Sequence, residues 1–209
     1  MPQVILVHGW GSGPDFWDAL IPHLSPWPVQ IINLGFTGPE KAAIETDNAS
    51  VFITHSLGTM WALKNRFPRI KALIAINGFY CFRHFICRRT LETMRMRLKR
   101  NPIPQMDKFW ESCGIGPGNP AGLDLQKLQE GLEWLISWNS AKELDALAVP
   151  VLSLAGQADP ILAPDLMKKQ WNGFPLRMVQ DGGHALPQTH PAWCADHIRE
   201  FLHGIGVER

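Results

Sequence analysis

The 209-residue chain reads as an α/β protein built on a mostly parallel, doubly wound sheet of about six strands. Two observations carry that reading. Short apolar runs rich in Val, Ile and Leu recur along the chain, and unbroken runs of this kind suit strands covered on both faces, the habit of parallel sheets. Segments of helical character lie between most of them, as a doubly wound sheet requires.

The elements follow in order. Gln3–Val7 is the first strand and runs into the glycine-rich loop His8-Gly9-Trp10-Gly11. A helix is expected over Asp15–Leu24, with Pro14-Asp15 as its cap. Val29–Asn33 is the second strand, and the short stretch from Leu34 to Ser50 leaves room for one small helix around Glu40–Glu45. Val51–Thr54 is the third strand, followed at Thr59-Met60-Trp61 by a helix start, and Ala72–Ile76 is the fourth. Residues 79–140 then interrupt the alternation and read as an inserted helical lid. Within it Leu125, Leu128, Leu132, Leu135 and Ile136 form an apolar stripe on a helix ending near Trp138. Val151–Ala155 and Leu176–Val179 are the last strands, and Trp193, Ile198, Phe201 and Leu202 stripe the closing helix. Such stripes are core positions. The expected organisation is a core of residues 1–78 and 141–209 with a lid over 79–140.

Thr54-His55-Ser56-Leu57-Gly58 stands where the third strand hands over to a helix. A serine on such a turn projects its hydroxyl off the end of the sheet, beside the unpaired N–H groups of the helix N-terminus. The pattern is G-x-S-x-G with Thr54 in place of the first glycine. A serine nucleophile needs a histidine to accept its proton and a carboxylate to orient that histidine, in the chain order Ser, Asp or Glu, His. Asp159 leaves the strand ending Ala155-Gly156, and His184 lies on the Asp181-Gly182-Gly183 loop after the last strand. His190 is the rival base, but it precedes Pro191 at a helix entry and resembles a cap. Asp181 is too close in sequence to His184 to be its partner, and the loop Asn77-Gly78-Phe79 offers no acid. His55 and His8 read as structural. The developing oxyanion needs two preorganised donors, for which the amides of Trp10 and Leu57 are placed.

These residues resemble the α/β-hydrolase superfamily, through His8-Gly9-Trp10-Gly11, Ser56-Leu57-Gly58, Gly156-Gln157-Ala158-Asp159 and Gly183-His184. Within it the chain is most similar to the biotin-pathway esterases that remove the methyl group from pimeloyl-[acyl-carrier protein] methyl ester. That likeness rests on Phe16-Trp17, on Cys81-Phe82, on Gly131-Leu132-Glu133-Trp134-Leu135, and on the stretches Pro150 to Asp159 and His184 to Cys194. It implies a serine carboxylesterase working through an acyl-enzyme, without metal or organic cofactor. Two departures stand out. Such proteins usually carry a strand pair before the His-Gly strand, whereas only seven residues precede His8 here, so that pair is missing. The lid between Arg83 and Asn101 also follows no family pattern.

That unmatched segment concentrates the charge. Arg83 to Arg100 holds seven basic side chains and one acid, a net +6 in a chain whose total is +1. It reads either as a solvated helix face or as a docking surface for an acidic partner, which would speed and orient encounter. An acyl carrier protein is such a partner, and the resemblance implies it. Arg88, Arg89, Arg95 and Arg97 are the candidates on the run itself, and Lys108 matches a family contact by position. Aromatic residues of the lid, with Trp10, could line an apolar channel for an acyl chain. Phe109 and Cys113 resemble family positions that contact that chain, and Trp110 stands beside them as a contact or as lid core.

No apolar run approaches the roughly 20 residues of a membrane span, and Met1 leads straight into a strand without a signal-like segment. Cys81, Cys87, Cys113 and Cys194 show neither zinc-like spacing nor a disulfide framework. The expectation is a cytoplasmic monomer that engages neither membrane nor nucleic acid. Three functions fit: the carrier-linked methyl esterase, a serine esterase or thioesterase for another small substrate, and a catalytically inactive binding protein on the same fold.

Overall fold

The apolar runs pair as their composition requires. In the computed structural model, which describes residues 2–44, 49–65, 67, 69–116 and 122–207, six strands form one sheet. They are β1 (Gln3–Val7), β2 (Val29–Ile32), β3 (Ser50–His55), β4 (Ile70–Ile76), β5 (Val151–Gly156) and β6 (Leu176–Val179). Their order is β2-β1-β3-β4-β5-β6, and every pairing is parallel. Because successive side chains point to opposite faces, each strand feeds two apolar layers. Val4, Leu6, Ile53 and Ile74 join the layer with Phe16, Trp17 and Ile198. Ile5, Val7, Phe52 and Leu73 join the layer with Met60, Leu132 and Trp171. The sheet therefore has no solvent face over its central strands, which is why their sequences do not alternate.

The helices are α1 (Leu57–Asn65), α2 (Arg88–Arg100), α3 (Pro102–Cys113), α4 (Leu125–Ser137), α5 (Ala141–Asp145), α6 (Pro164–Gln170), α7 (Leu186–Thr189) and α8 (Pro191–Gly204). Asp124 caps α4, its side chain accepting from Lys127 N–H. Gly114 closes α3 at φ 67°, a left-handed cap that costs glycine little. α2, α3 and α4 all lie between β4 and β5, within the interval read as a lid. Among the described residues no helix is long and apolar enough to cross a membrane.

Two expected helices are corrected. Over Asp15–Leu24 the chain makes two separate 3-10 turns, Pro14–Trp17 and Ile21–Leu24. Pro22 is the reason: it has no N–H to give to the fourth residue back and its ring clashes there, so one α-helix cannot run through. Over the described part of Glu40–Glu45 there is no helix. Lys41 instead exchanges backbone hydrogen bonds with Asn33, at 2.9 and 3.0 Å, and Asn33 Nδ2 also donates to the carbonyls of Thr37 and Pro39. Glu45 itself lies outside the described residues.

Candidate active site

Three strand ends converge on one point. Ser56 follows β3 with φ 52°, a left-handed conformation that a non-glycine residue holds only at some cost. The turn is fixed on both sides, by Ser56 N–H donating to Ile76 O and by Thr59 N–H donating to Ser56 O. It can form only against a glycine. A Cβ at Gly58 would stand 2.3 Å from Val7 O and 2.7 Å from His8 O, so any side chain there would drive α1 off β1. Thr54, where glycine was expected, is fully buried and fits. Its hydroxyl donates to Ile74 O at 3.2 Å and accepts from Thr59 Oγ1 at 2.8 Å. The added polar group is thereby satisfied rather than stranded.

His184 Nε2 lies 3.1 Å from Ser56 Oγ, and its Nδ1 lies 2.8 Å from Asp159 Oδ2. An ionised carboxylate can only accept, so Nδ1 carries the proton and Nε2 is left with a lone pair facing the serine hydroxyl. The other carboxylate oxygen of Asp159 accepts from Ile161 N–H at 2.8 Å and Leu162 N–H at 3.0 Å. All three side chains are buried, Ser56 being the most open at 8 % exposure. Such a dry site strengthens each charge–dipole contact within it.

Asn77, read in the sequence only as a place without an acid, joins the converging loops. It leaves β4 with φ 43°. Its Nδ2 donates to Gly183 O at 2.9 Å and His184 O at 2.7 Å, and its Oδ1 accepts from Gly156 N–H at 3.0 Å. His55 Nε2–H donates to the same His184 carbonyl at 2.9 Å, while its ring stacks on Phe16. Burial lowers the pKa of His55 well below the ordinary value, and the neighbouring His184 lowers it further. His8 is also buried; its Nδ1–H donates to Gly9 O and its Nε2 accepts from Leu34 N–H. His190 sits elsewhere, against Asp181 at 3.3 Å and Thr189 at 2.9 Å, so the two side chains set aside in the sequence partner each other.

The loop after β1 runs tight against the serine turn, since a Cβ at Gly9 would stand 3.0 Å from Ser56 Cβ. Trp10 follows, its indole N–H donating to Leu128 O at 2.9 Å, which ties the loop to α4. Leu57 opens α1, so its amide has no acceptor inside the helix. Ser56 and His184 face a pocket of about 150 Å³ whose wall is otherwise almost wholly apolar, including Trp10, Phe79, Phe82 and Leu135. Phe109 lines it too, edge-on to Trp10 with ring centroids 4.6 Å apart. Trp110 and Cys113, expected beside it, do not line the pocket. On α3 residues 109 and 112 share the pocket face, while Met106, Trp110 and Cys113 recur at helical spacing on the buried face. Trp110 is fixed there by donating to Gly11 O at 2.8 Å.

The expected partner-binding cations separate on the surface. Arg95 is engaged by Glu92 at 2.6 Å and by Glu133 on α4 at 2.9 Å, and Arg88 reaches Glu92 at 3.5 Å. Arg89, Arg97 and Lys108 line a groove between α2 and α3. The four cysteines are unpaired, Cys87 exposed and the rest buried. Among the described residues no group of three or more His, Cys, Asp or Glu side chains could hold a metal ion.

With this geometry, the likenesses to known proteins take on meaning. No family model matches the chain. A pimeloyl-[acyl-carrier protein] methyl ester esterase of Aromatoleum aromaticum is 24 % identical, over 97 % of this chain and 99 % of that protein. A protein of the same description from Legionella pneumophila (strain Lens) is 23 % identical, over 95 % and 94 %. Among solved structures, a thermophilic esterase from Thermogutta terrifontis superposes with a TM-score of 0.78 at 18 % identity, covering 98 % of this chain and 90 % of its own. A bromoperoxidase from Bacillus anthracis superposes with a TM-score of 0.79 at 15 % identity, covering 97 % and 92 %. An esterase and a bromoperoxidase that superpose this well show a shared architecture, which alone fixes no reaction. The parallel six-stranded sheet, with its serine turn between β3 and α1, has the α/β-hydrolase fold.

Proposed function

We propose that the chain is a serine carboxylesterase that hydrolyses the methyl ester of an acyl chain carried by an acyl carrier protein. The observation that carries the reading is the hydrogen-bonded line Ser56–His184–Asp159 at the mouth of an apolar pocket. Ser56 Oγ attacks the ester carbonyl as its proton passes to His184 Nε2. The carbonyl electron pair becomes an oxyanion, received by the amides of Trp10 and Leu57. Asp159 holds the imidazole tautomer and stabilises the imidazolium. The intermediate collapses, His184 returns the proton to the departing methoxide, and methanol leaves an acyl-enzyme. Water then attacks the acyl carbonyl, giving a proton to His184, and collapse frees the carboxylic acid and restores the serine hydroxyl.

The Aromatoleum and Legionella relatives, both pimeloyl-[acyl-carrier protein] methyl ester esterases by name, support the methyl ester and its carrier. The charge of α2 supports an acidic partner. Its N-terminus begins Arg88-Arg89 with no acid in the first turn, an arrangement that opposes the helix dipole and costs helix stability. Arg88 on that end, with Arg89, Arg97 and Lys108 along the groove, forms the surface on which the carrier docks. The size of the pocket favours a second reading, an esterase or thioesterase for small free substrates.

One set of measurements decides. A fluorophosphonate probe is expected to label wild-type protein at Ser56, and Ser56→Ala is expected to lose turnover by about 10⁴-fold or more. Folded protein that is not labelled would reduce the chain to a binding protein. Turnover of pimeloyl-carrier-protein methyl ester is expected to exceed that of the free methyl ester in kcat/KM; equality would favour the small-substrate reading.

A further inference from the structure

The groove between α2 and α3 has a volume of about 500 Å³ and is lined by Arg89, Arg97 and Lys108, with the polar side chains of Thr93 and Gln105. No carboxylate lines it, and among the described residues none of the three cations makes an ion pair. Cations gathered around one cavity repel each other unless something anionic enters between them.

The groove adjoins the pocket of Ser56 and His184, for Thr90, Met94, Phe109 and Ser112 line both. Arg89 precedes Thr90, Lys108 precedes Phe109, and Arg97 lies three residues beyond Met94, about 4.5 Å along the helix axis at 1.5 Å per residue. The cations thus begin within one helical turn of the shared wall. The reacting pocket alone, about 150 Å³, falls below the roughly 300–1,000 Å³ of sites that bury a drug-sized ligand. It accommodates the ester and a short run of carbons. A longer acyl chain must continue into neighbouring space, and the basic groove adjoins the pocket across four shared lining residues.

We propose that the α2–α3 groove is an anion subsite for the substrate itself. It seats a carboxylate or phosphate borne at the end of the acyl chain remote from the ester that Ser56 attacks. The inference rests on the esterase reading, yet differs from docking a protein surface, because the anion is joined covalently to the chain that bears the ester. Arg89, Arg97 and Lys108 set specificity by charge-assisted hydrogen bonds, and Gln105 supplies a neutral donor, while the Thr93 hydroxyl is spent on Arg89 O at 2.8 Å.

The test uses Ser56→Ala protein, titrated with two matched pairs of ligands. The first pair is the monomethyl ester of the seven-carbon dicarboxylic acid and its ω-carboxamide. The second is the same methyl ester joined as a thioester to a phosphopantetheine arm, with and without the terminal phosphate. The charged member of at least one pair is expected to bind at least tenfold more tightly, about 1.4 kcal/mol. That advantage should fall below threefold when Arg97→Gln and Lys108→Gln are added. It should persist with Lys168→Gln, which removes a charge outside the lid. Preference in the first pair assigns the groove to a free diacid monoester, and preference confined to the second assigns it to the phosphate of a prosthetic arm. Equal affinity within both pairs, or an advantage that survives the double change, overturns the subsite. Because binding is read without turnover, labelling and turnover of the wild type judge the esterase reading separately.

Discussion

Asn77 holds together what the sequence presents as three separate loops. One amide side chain bonds the end of β5, which leads to Asp159, and the carbonyls of Gly183 and His184. These hydrogen bonds go to backbone groups and not to the Ser56 hydroxyl or the imidazole, so it is a positioning residue. Asn77→Ala leaves the Gly156 N–H without its acceptor, at a cost of about 1–3 kcal/mol. His55 remains as the second donor to the His184 carbonyl. A small displacement of the base costs up to about 10²-fold in rate, so kcat for a methyl ester is expected to fall 10- to 100-fold with KM nearly unchanged. Labelling of Ser56 should slow in proportion. Stability lost without any loss of kcat would make Asn77 purely architectural. Its signal in the sequence was slight: an asparagine before glycine at a strand end tolerates positive φ, but nothing local tells which distant carbonyls its amide meets. Ser56, Asp159 and His184 were easier to place, because each follows a strand whose apolar run is plain.

At the level of elements, α4 sets where the Trp10 loop lies. Gly131 faces that loop: a Cβ there would stand 2.6 Å from Trp10 Cδ1 and 2.7 Å from Phe36 Cε1. Gly131→Ala gains about 1 kcal/mol of helix propensity but loses about 1–3 kcal/mol to overpacking. Packing is expected to win, lowering Tm by a few degrees, with kcat falling as Trp10 is pushed from its place beside Ser56. Removing the pairs of Arg95, one within α2 and one reaching α4, makes a useful contrast. These are half-exposed contacts, 2.6 Å to Glu92 and 2.9 Å to Glu133, and Arg95→Ala should change stability by no more than about 1 kcal/mol. A Gly131→Ala protein with unchanged Tm and kcat would show that the loop yields. The same contrast explains what was legible. Strands were readable to within two residues: burial on both faces writes an unbroken apolar run over the central ones, and apolar residues still dominate the part-buried edge strands β2 and β6. The 3-10 turns were misread because the apolar spacing of Asp15–Leu24 outweighed one proline. The sequence leaves Trp110 open between contact and lid core, and places Cys113 by likeness alone, because aromatic or thiol character does not say which side of a helix faces a cavity.

The whole molecule inherits an acid sensitivity from the way the site is kept dry. His8 at the end of β1 and His55 at the end of β3 lie beneath the serine turn, fully buried or nearly so. Desolvation is the first cause of lowered pKa in both, and His55 is lowered the further. In the unfolded chain each imidazole titrates near 6.5. Above that pH neither state takes up these protons, and their contribution to stability is fully present. As the pH falls below about 6.5 the unfolded chain gains up to two protons that the folded chain refuses. Stability then falls by as much as about 2.7 kcal/mol per pH unit, until the lowered native values are reached. Urea denaturation at pH 7.5, 6.5 and 5.5 measures this directly. The midpoint should change little between the first two and drop clearly by the third, with the slope m constant. His8→Asn removes one of the two titrating groups, the less shifted one, and should lessen the drop between pH 6.5 and 5.5, whatever its effect at pH 7.5. A drop of the same size in that variant would locate the proton uptake elsewhere in the chain.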